Sequence, residues 1–188
     1  DSLDLLTRCG LKYSRGKDQL MCYGENMPLD VLFVRDDDIP DLVQEDVCDL
    51  GILGLNVIDE KRLAMAAHGT QARFELIQRL DFGRCRLSLA VPDEFPYTGL
   101  ASLAGRRIAT TYPRTLERYL RENSIQAEIV TLSGAVEIAP RLGRADLGGL
   151  HEHDPLHHVA RRQPIHDLAH VRRARRAIPP RFGRGAAR

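Results

Sequence analysis

Tryptophan is absent and aromatic residues make up only 5% of the 188-residue chain, so its core has to be aliphatic. Enough material exists for one, since 43% of the residues are apolar. No apolar run approaches the length of a membrane span and no signal-peptide pattern is found, so a soluble, cytoplasmic protein without a membrane partner is expected. Cys9, Cys22, Cys48 and Cys85 are scattered, without CxxC or zinc-ligand spacing. Each lies in an apolar pattern, which predicts buried, reduced thiols rather than a metal centre or a disulfide framework. No internal repeat is found.

Lysine is missing from residues 147–188, which carry nine Arg and three acids, a net +6. Residues 1–146 carry 18 basic and 23 acidic residues, a net −5, so the overall +1 hides two unlike segments. Six of the seven histidines also lie after residue 146.

What the chain does have is a strand–helix–strand pattern across residues 29–54. Residues 29–35 (LDVLFVR) are a short apolar run with two β-branched valines, the pattern of a buried strand. Of Asp36, Asp37 and Asp38, one can cap the next helix while the others suit its positive first turn. Pro40 fits a helix start, and Ile39, Leu42, Val43 and Val47 recur at helical spacing. Residues 49–54 (DLGILG) predict a second strand ending in glycine. Such a βαβ unit implies a parallel sheet with ligands at its carboxyl edge.

Before this unit the chain opens inside a helix, with Ser2 as N-cap and Gly10 past its end, and residues 20–27 read as a strand running into a loop. After it come a short helix over 56–60 and strands over 74–80 and 86–91. Residues 92–97, with an exposed Phe95, form a surface crossing. A second α/β unit follows: strand 107–111, helix 113–122, strand 127–132, a helix over 135–142 capped by Ser133, and a strand starting at Ala145-Asp146. Beyond Asp146 nothing specifies a strand; a mobile tail is expected, helical at most over 156–162 and 169–176. The predicted domains are a first α/β lobe over 1–91, a second over 92–146, and an Arg/His-rich tail over 147–188.

RxxDIPxLV followed by DLGIxG closely resembles the ATP phosphoribosyltransferase family, the first enzyme of histidine biosynthesis. GENMP (24–28), LDFGRCRLSLA (80–90), RIATTYP (107–113) and GAVEIAP (134–140) extend the match at family order and spacing, from Leu3 to Asp146. The resemblance is to the catalytic region of the long, allosteric form, without its regulatory domain. It implies a two-lobed type II periplasmic-binding-protein-like α/β fold with a cleft between the lobes. That fold is expected to be incomplete here, since the family's first strand and its phosphate-site loop are not found before Asp1. The implied reaction joins N1 of ATP to C1′ of phosphoribosyl pyrophosphate and releases pyrophosphate. Catalysis is then mainly positioning and electrostatics, with Mg²⁺ on the pyrophosphate and no single residue marked as catalytic. The intact family implies a homo-oligomer and no nucleic-acid partner.

The resemblance assigns the nucleotide and substrate contacts to Arg35, Asp49, Gly51, Gly54, Arg86, Thr110, Thr111, Tyr112, Glu137 and Asp146. Arg35 suits a phosphate or base, or else a salt bridge to Asp36 or Asp38. Gly54 allows close backbone approach to a ligand, or is a simple turn glycine. Arg86 follows Cys85 in the strand at the crossing. In the Thr110–Thr111–Tyr112 turn, Tyr112 could stack on adenine and Pro113 leaves N–H groups pointing outward, or the turn merely caps a helix. Glu137 matches an acid of the family's GSxE motif, with Ala135 in place of Ser. Asp146 matches the first Asp of its A-D-x-I-x-D strand.

After that Asp the family has a D-L-V-S-T-G-x-T-L loop for the phosphoribosyl group, but residues 147–154 read LGGLHEHD. A frame error near Asp146 would produce such a change, and impaired activity follows. A non-catalytic nucleotide- or anion-binding module is the alternative. His151-x-His153 with His157-His158 could bind a transition metal, and the arginine runs could bind nucleic acid. Both are weaker readings than a disordered tail, since no aromatic residues interleave and no binding module is present. Two sheet positions should then be vacant or badly filled, so residues 1–188 alone are expected to aggregate.

Overall fold

The computed structural model describes residues 1–85, 87–92, 95–152 and 168–173. It opens with the helix Ser2–Arg8 (α1), whose cap position is Asp1 rather than Ser2. Gly10, just past its end, takes φ +84°, a left-handed value that favours glycine. Met21–Tyr23 (β1) and Asp30–Leu32 (β2) then pair antiparallel as a two-stranded ribbon. The expected buried strand over 29–35 is therefore only three residues long, and no β2 residue is fully buried. Leu29, Leu32 and Val34 of its apolar run stay exposed, and the ribbon closes through Gly24 N–H donating to the Leu29 carbonyl at 2.8 Å. Consequently β2 takes no part in a parallel sheet.

Ile39–Gln44 (α2) carries Pro40 in its first turn, as expected, while its cap Asp38 makes no side-chain hydrogen bond. Leu50–Gly54 (β3) runs directly into Leu55–Ala67 (α3), a helix of 13 residues where only 56–60 were expected. Phe74–Arg79 (β4) completes a βαβ unit of a kind the sequence did not suggest. Here β3 and β4 both pair antiparallel with Leu168–Arg173 (β9), which lies between them. The tail thus contributes a strand across residues expected to be mobile or helical. The expected helical piece over 156–162 lies outside the described residues.

In the second sheet β6 and β7 follow the sequence reading, whereas β5 comes from the segment assigned to the first lobe and β8 from beyond Asp146. Its order is Leu87–Ala90 (β5), Leu147–Glu152 (β8), Arg107–Thr110 (β6), Glu128–Thr131 (β7). β6 is parallel to β7 and β8, whereas β5 is antiparallel to β8. Pro113–Glu122 (α4) links β6 to β7 and has the bounds read from the sequence. It buries Thr115, Leu116 and Leu120 and leaves Glu117, Arg121 and Glu122 in solvent. The expected helix over 135–142 is instead a 3-10 turn, Val136–Ile138, followed by further turns. Pro140 lacks the N–H an α-helix would need there, and Ala135 sits at φ +54°. β8 fills the sheet position expected to be vacant or badly filled after Asp146.

One continuous core joins the two sheets: Val43, Leu53, Ile58 and Phe74 belong to the same cluster as Leu87, Leu103, Ile108, Leu116 and Leu147. It is aliphatic apart from Phe74 and Tyr112 among its buried members. Phe95 is not exposed but packs against this core, with the Arg106 guanidinium 5.4 Å from its ring centre. Of the four thiols only Cys22 is buried; Cys48 and Cys85 are half-buried and Cys9 is exposed.

Two contacts make this packing testable. A Cβ added at Gly51 would lie 2.3 Å from Ile39 Cγ2, so β3 and α2 meet at van der Waals distance only because residue 51 has no side chain. Gly51→Ala should lower stability by about 1–3 kcal/mol in urea denaturation. Adding Ile39→Ala should remove the clash, so the double variant should lose clearly less than the two single losses combined. Full additivity would contradict the contact.

The second contact fastens β8 to β6. Asp146 accepts from the Arg107 N–H at 2.9 Å and from Arg107 Nη2 at 3.0 Å, while its own N–H donates to the Arg107 carbonyl at 2.8 Å. The backbone and then the side-chain hydrogen bond from Arg107 hold the Asp146 carboxyl below its ordinary value of 3.8. Its stabilising effect is therefore present above that ordinary value and is lost as the pH falls through the lowered one. Asp146→Asn should reduce the urea midpoint at neutral pH, and the gap to the unaltered chain should narrow with acidification below about 4. A gap that stays constant with pH would exclude the carboxylate as its cause.

Candidate functional site

Two strand-to-helix turns build the site. β3 ends at Gly54, whose extended backbone (φ −66°, ψ 139°) is also the cap position of α3, so no loop intervenes. β6 ends at Thr110, and Thr111 and Tyr112 lead into α4 at Pro113. The Thr110 hydroxyl oxygen accepts the Tyr112 N–H at 2.9 Å and sets the turn.

These two turns meet. Asn56 in the first turn of α3 is fully buried, and its Nδ2 donates to the Tyr112 hydroxyl at 2.8 Å. The Cys85 thiol donates to Asn56 Oδ1 at 3.8 Å, bringing in the segment before β5. Glu60 lies four residues further along α3, on the same face as Asn56. Its Oε1 accepts the Arg114 N–H at 2.8 Å, and its Oε2 accepts both the Thr115 N–H and the Thr115 hydroxyl at 2.7 Å. A carboxylate on the helix after β3 therefore caps the helix after β6, satisfying donors that α4 cannot satisfy itself. Lys61, the next residue, makes a separate tie by pairing with Asp41 of α2 at 2.6 Å.

Gly54, Thr110, Thr111 and Tyr112 thus share one junction, and the N–H groups expected to point outward from α4 are taken by Glu60. Tyr112 is only 8% exposed and its hydroxyl is engaged, so its ring is a core element in this arrangement and offers no open face to a base. Gly51 is a packing position against Ile39. Asp49 is exposed, just before β3 and at the opposite end of that strand from Gly54. Asp146 likewise faces Arg107 at the amino end of β6, away from Thr110. Glu137 is exposed on the 3-10 turn. Arg35 is exposed and pairs at 3.7 Å with Asp37, not with the Asp36 or Asp38 suggested by the sequence. Partial burial, aided by Asp36 and Asp38 and opposed by Arg35, pushes the Asp37 carboxyl upward. Arg86 lies outside the described residues.

Asn56, Glu60 and Thr115 were missed by the sequence reading. The signal was the i, i+4 spacing of Asn56 and Glu60 within a predicted helix, but nothing in the sequence named their partners. Among the described residues no group of three or more His, Cys, Asp or Glu could hold a metal ion. An open groove of about 440 Å³ beside β1, lined by Ser14, Gln19, Tyr23 and Glu25 among others, shares no residue with the junction.

Residues 35–147 match the ATP phosphoribosyltransferase family. The curated relatives include ATP phosphoribosyltransferase of Stenotrophomonas maltophilia, 52% identical over 144 residues that cover 77% of this chain and 48% of the relative. That of Xylella fastidiosa is 51% identical over 143 residues, 76% of this chain and 47% of the relative. The chain therefore spans about half the length of the curated relatives it matches. Among solved structures, an ATP phosphoribosyl transferase complex (HisG:HisZ) from Thermotoga maritima superposes with a TM-score of 0.68 at 21% identity, over 92% of this chain and 81% of that one. The periplasmic aliphatic sulphonate binding protein SsuA from Escherichia coli does so with a TM-score of 0.52 at 17% identity, over 76% of this chain and 53% of that one. The fold is accordingly of the type II periplasmic-binding-protein kind, and over the matched residues the chain belongs to the ATP phosphoribosyltransferase family.

Proposed function

We propose that this chain carries the catalytic region of an ATP phosphoribosyltransferase, the glycosyltransferase that condenses ATP with phosphoribosyl pyrophosphate to N1-(5-phosphoribosyl)-ATP and pyrophosphate in histidine biosynthesis. The family match over residues 35–147 carries this reading. In it, ATP binds at the carboxyl ends of β3 and β6, near Gly54 and the Thr110–Thr111 turn. Arg35 and Glu137, both exposed, are left for phosphate, ribose or partner contacts, and Asp49, at the far end of β3 from Gly54, for a partner contact. Arg86 keeps the substrate role that its motif implies. Tyr112, Gly51 and Asp146 serve the architecture that holds these groups.

Mg²⁺ belongs to the reaction through the pyrophosphate oxygens, since this ion is commonly held by substrate phosphates and one or two carboxylates. The described residues offer no cluster that fits a protein-held ion. No helix among the described residues is long and apolar enough to cross a membrane, and a cytoplasmic homo-oligomer fits the proposed biosynthetic role.

The segment after Asp146 sets the limit on activity. Residues 147–154, LGGLHEHD, supply no Ser/Thr/Gly cradle for the phosphoribosyl group, although β8 forms there. The expected outcome is weak ATP binding in isothermal titration and no pyrophosphate release when both substrates and Mg²⁺ are supplied. Rapid release dependent on both substrates would overturn the impairment. Absence of ATP binding at about 1 mM would overturn the nucleotide site. Restoring the reading frame by one nucleotide near codon 146 should reinstate the cradle and phosphoribosyl pyrophosphate binding. A repaired segment encoding no such loop would remove a frame error as the explanation.

A further inference from the structure

We propose that Glu60 is a positioning residue, holding the Thr110–Tyr112 turn of the second sheet in place against the Gly54 turn of the first. The assignment of these turns to ATP rests on the reading above; the clasp itself rests on geometry alone.

The first-turn N–H groups of any α-helix lack intrahelical acceptors, and a side chain from the preceding residues usually supplies one. The cap position of α4 is Tyr112, which has no acceptor of that kind and makes no side-chain cap bond. Pro113 contributes no N–H, so the exposed need falls on Arg114 and Thr115. Both amides, and the Thr115 hydroxyl, donate to the one carboxylate of Glu60, at 2.7–2.8 Å. That carboxylate is 54 residues from Arg114 in sequence and belongs to the other βαβ unit. An ordinary cap stabilises only its own helix. This one ties the start of α4 to α3, and Asn56 on the same face of α3 adds the bond to the Tyr112 hydroxyl. Because Thr110 accepts the Tyr112 N–H, the turn moves with the start of α4. Glu60 touches neither turn directly, so its influence on a ligand there runs through the helix it holds.

The test compares amide hydrogen exchange and ATP affinity in the full chain and in the variants Glu60→Ala, Glu60→Gln and Glu60→Asp. Glu60→Ala should speed exchange at Arg114 and Thr115 by at least ten-fold while Leu116 and Leu120, held by helical acceptors, change little. It should also weaken ATP binding about ten-fold. Glu60→Gln keeps one acceptor oxygen and should recover part of both effects, whereas the shorter Glu60→Asp should recover less. Exchange that accelerates evenly along α4 would mark Glu60 as a general stabiliser and overturn the proposal. Local acceleration with unchanged ATP affinity would overturn it as well. If the unaltered chain binds no ATP, the functional reading fails. The positioning claim is then decided by whether the Tyr112 ring resonances shift in Glu60→Ala and return in Glu60→Gln; unshifted resonances would overturn it.

Discussion

The contact between α3 and α4 is the constraint on which the rest of the molecule depends. Each helix starts within three residues of a strand's carboxyl end, and the two strands belong to separate sheets. Apolar burial brings these units together, since Leu55, Ile58, Leu116 and Leu120 share one core. Burial alone is non-directional and would tolerate sliding of one helix over the other. Glu60 and Asn56 supply direction: four hydrogen bonds from one face of α3 accept or engage only one placement of the start of α4. The shape of any cleft between the units follows from that placement.

How much of this was legible depended on whether an element's partners are near in sequence. For β6, α4 and β7, with Pro113 marking the helix start, the expected boundaries lie within a residue or so of those observed. A βαβ unit of that kind is specified by its own residues. The first sheet is different. Residues 29–35 read as a buried strand because a short apolar run says nothing about which strand will cover it. Its neighbour β1 was closest along the chain and took it into an antiparallel ribbon. The strand that completes the first sheet comes instead from residues 168–173, more than a hundred residues after β3. No local pattern could have linked them.

β9 shows why the tail was misread. Leu168, Val171 and Ala174 have the spacing of a helix turn, which is why a helical piece was expected there. Yet in β9 residues 168–172 pair with Leu50–Gly54 on one side, and residues 169–173 pair with β4 on the other, with a register shift between Leu76 and Gln78. Ladder hydrogen bonds are made by the main chain and are nearly indifferent to side-chain identity. With β3 and β4 each presenting an open edge, pairing on both sides outweighs a weak helical preference. β8 follows the same logic. Its sequence departs from the family pattern immediately after Asp146, yet Ile108 and Ala109 of β6 still find partners in Leu147 and Gly148.

This separation between main-chain pairing and side-chain chemistry also explains what the motifs could and could not reveal. Motif matching located the family but treated every matched polar residue as a candidate ligand contact. Physical satisfaction sorts them differently. Asp146 already accepts two hydrogen bonds from Arg107, and Tyr112 already holds Asn56, so the fold itself accounts for both. Gly51 is glycine because Ile39 fills the space where a side chain would go. Arg35, Asp49 and Glu137 are exposed, and Arg35 pairs loosely with Asp37 across 3.7 Å. Desolvating a loosely paired surface charge for a ligand disturbs little else, whereas withdrawing Asp146 or Tyr112 would open a sheet or the core. A shared motif therefore mixes residues that the scaffold uses for itself, such as Gly51, Tyr112 and Asp146, with residues such as Arg35 and Glu137 that it leaves exposed.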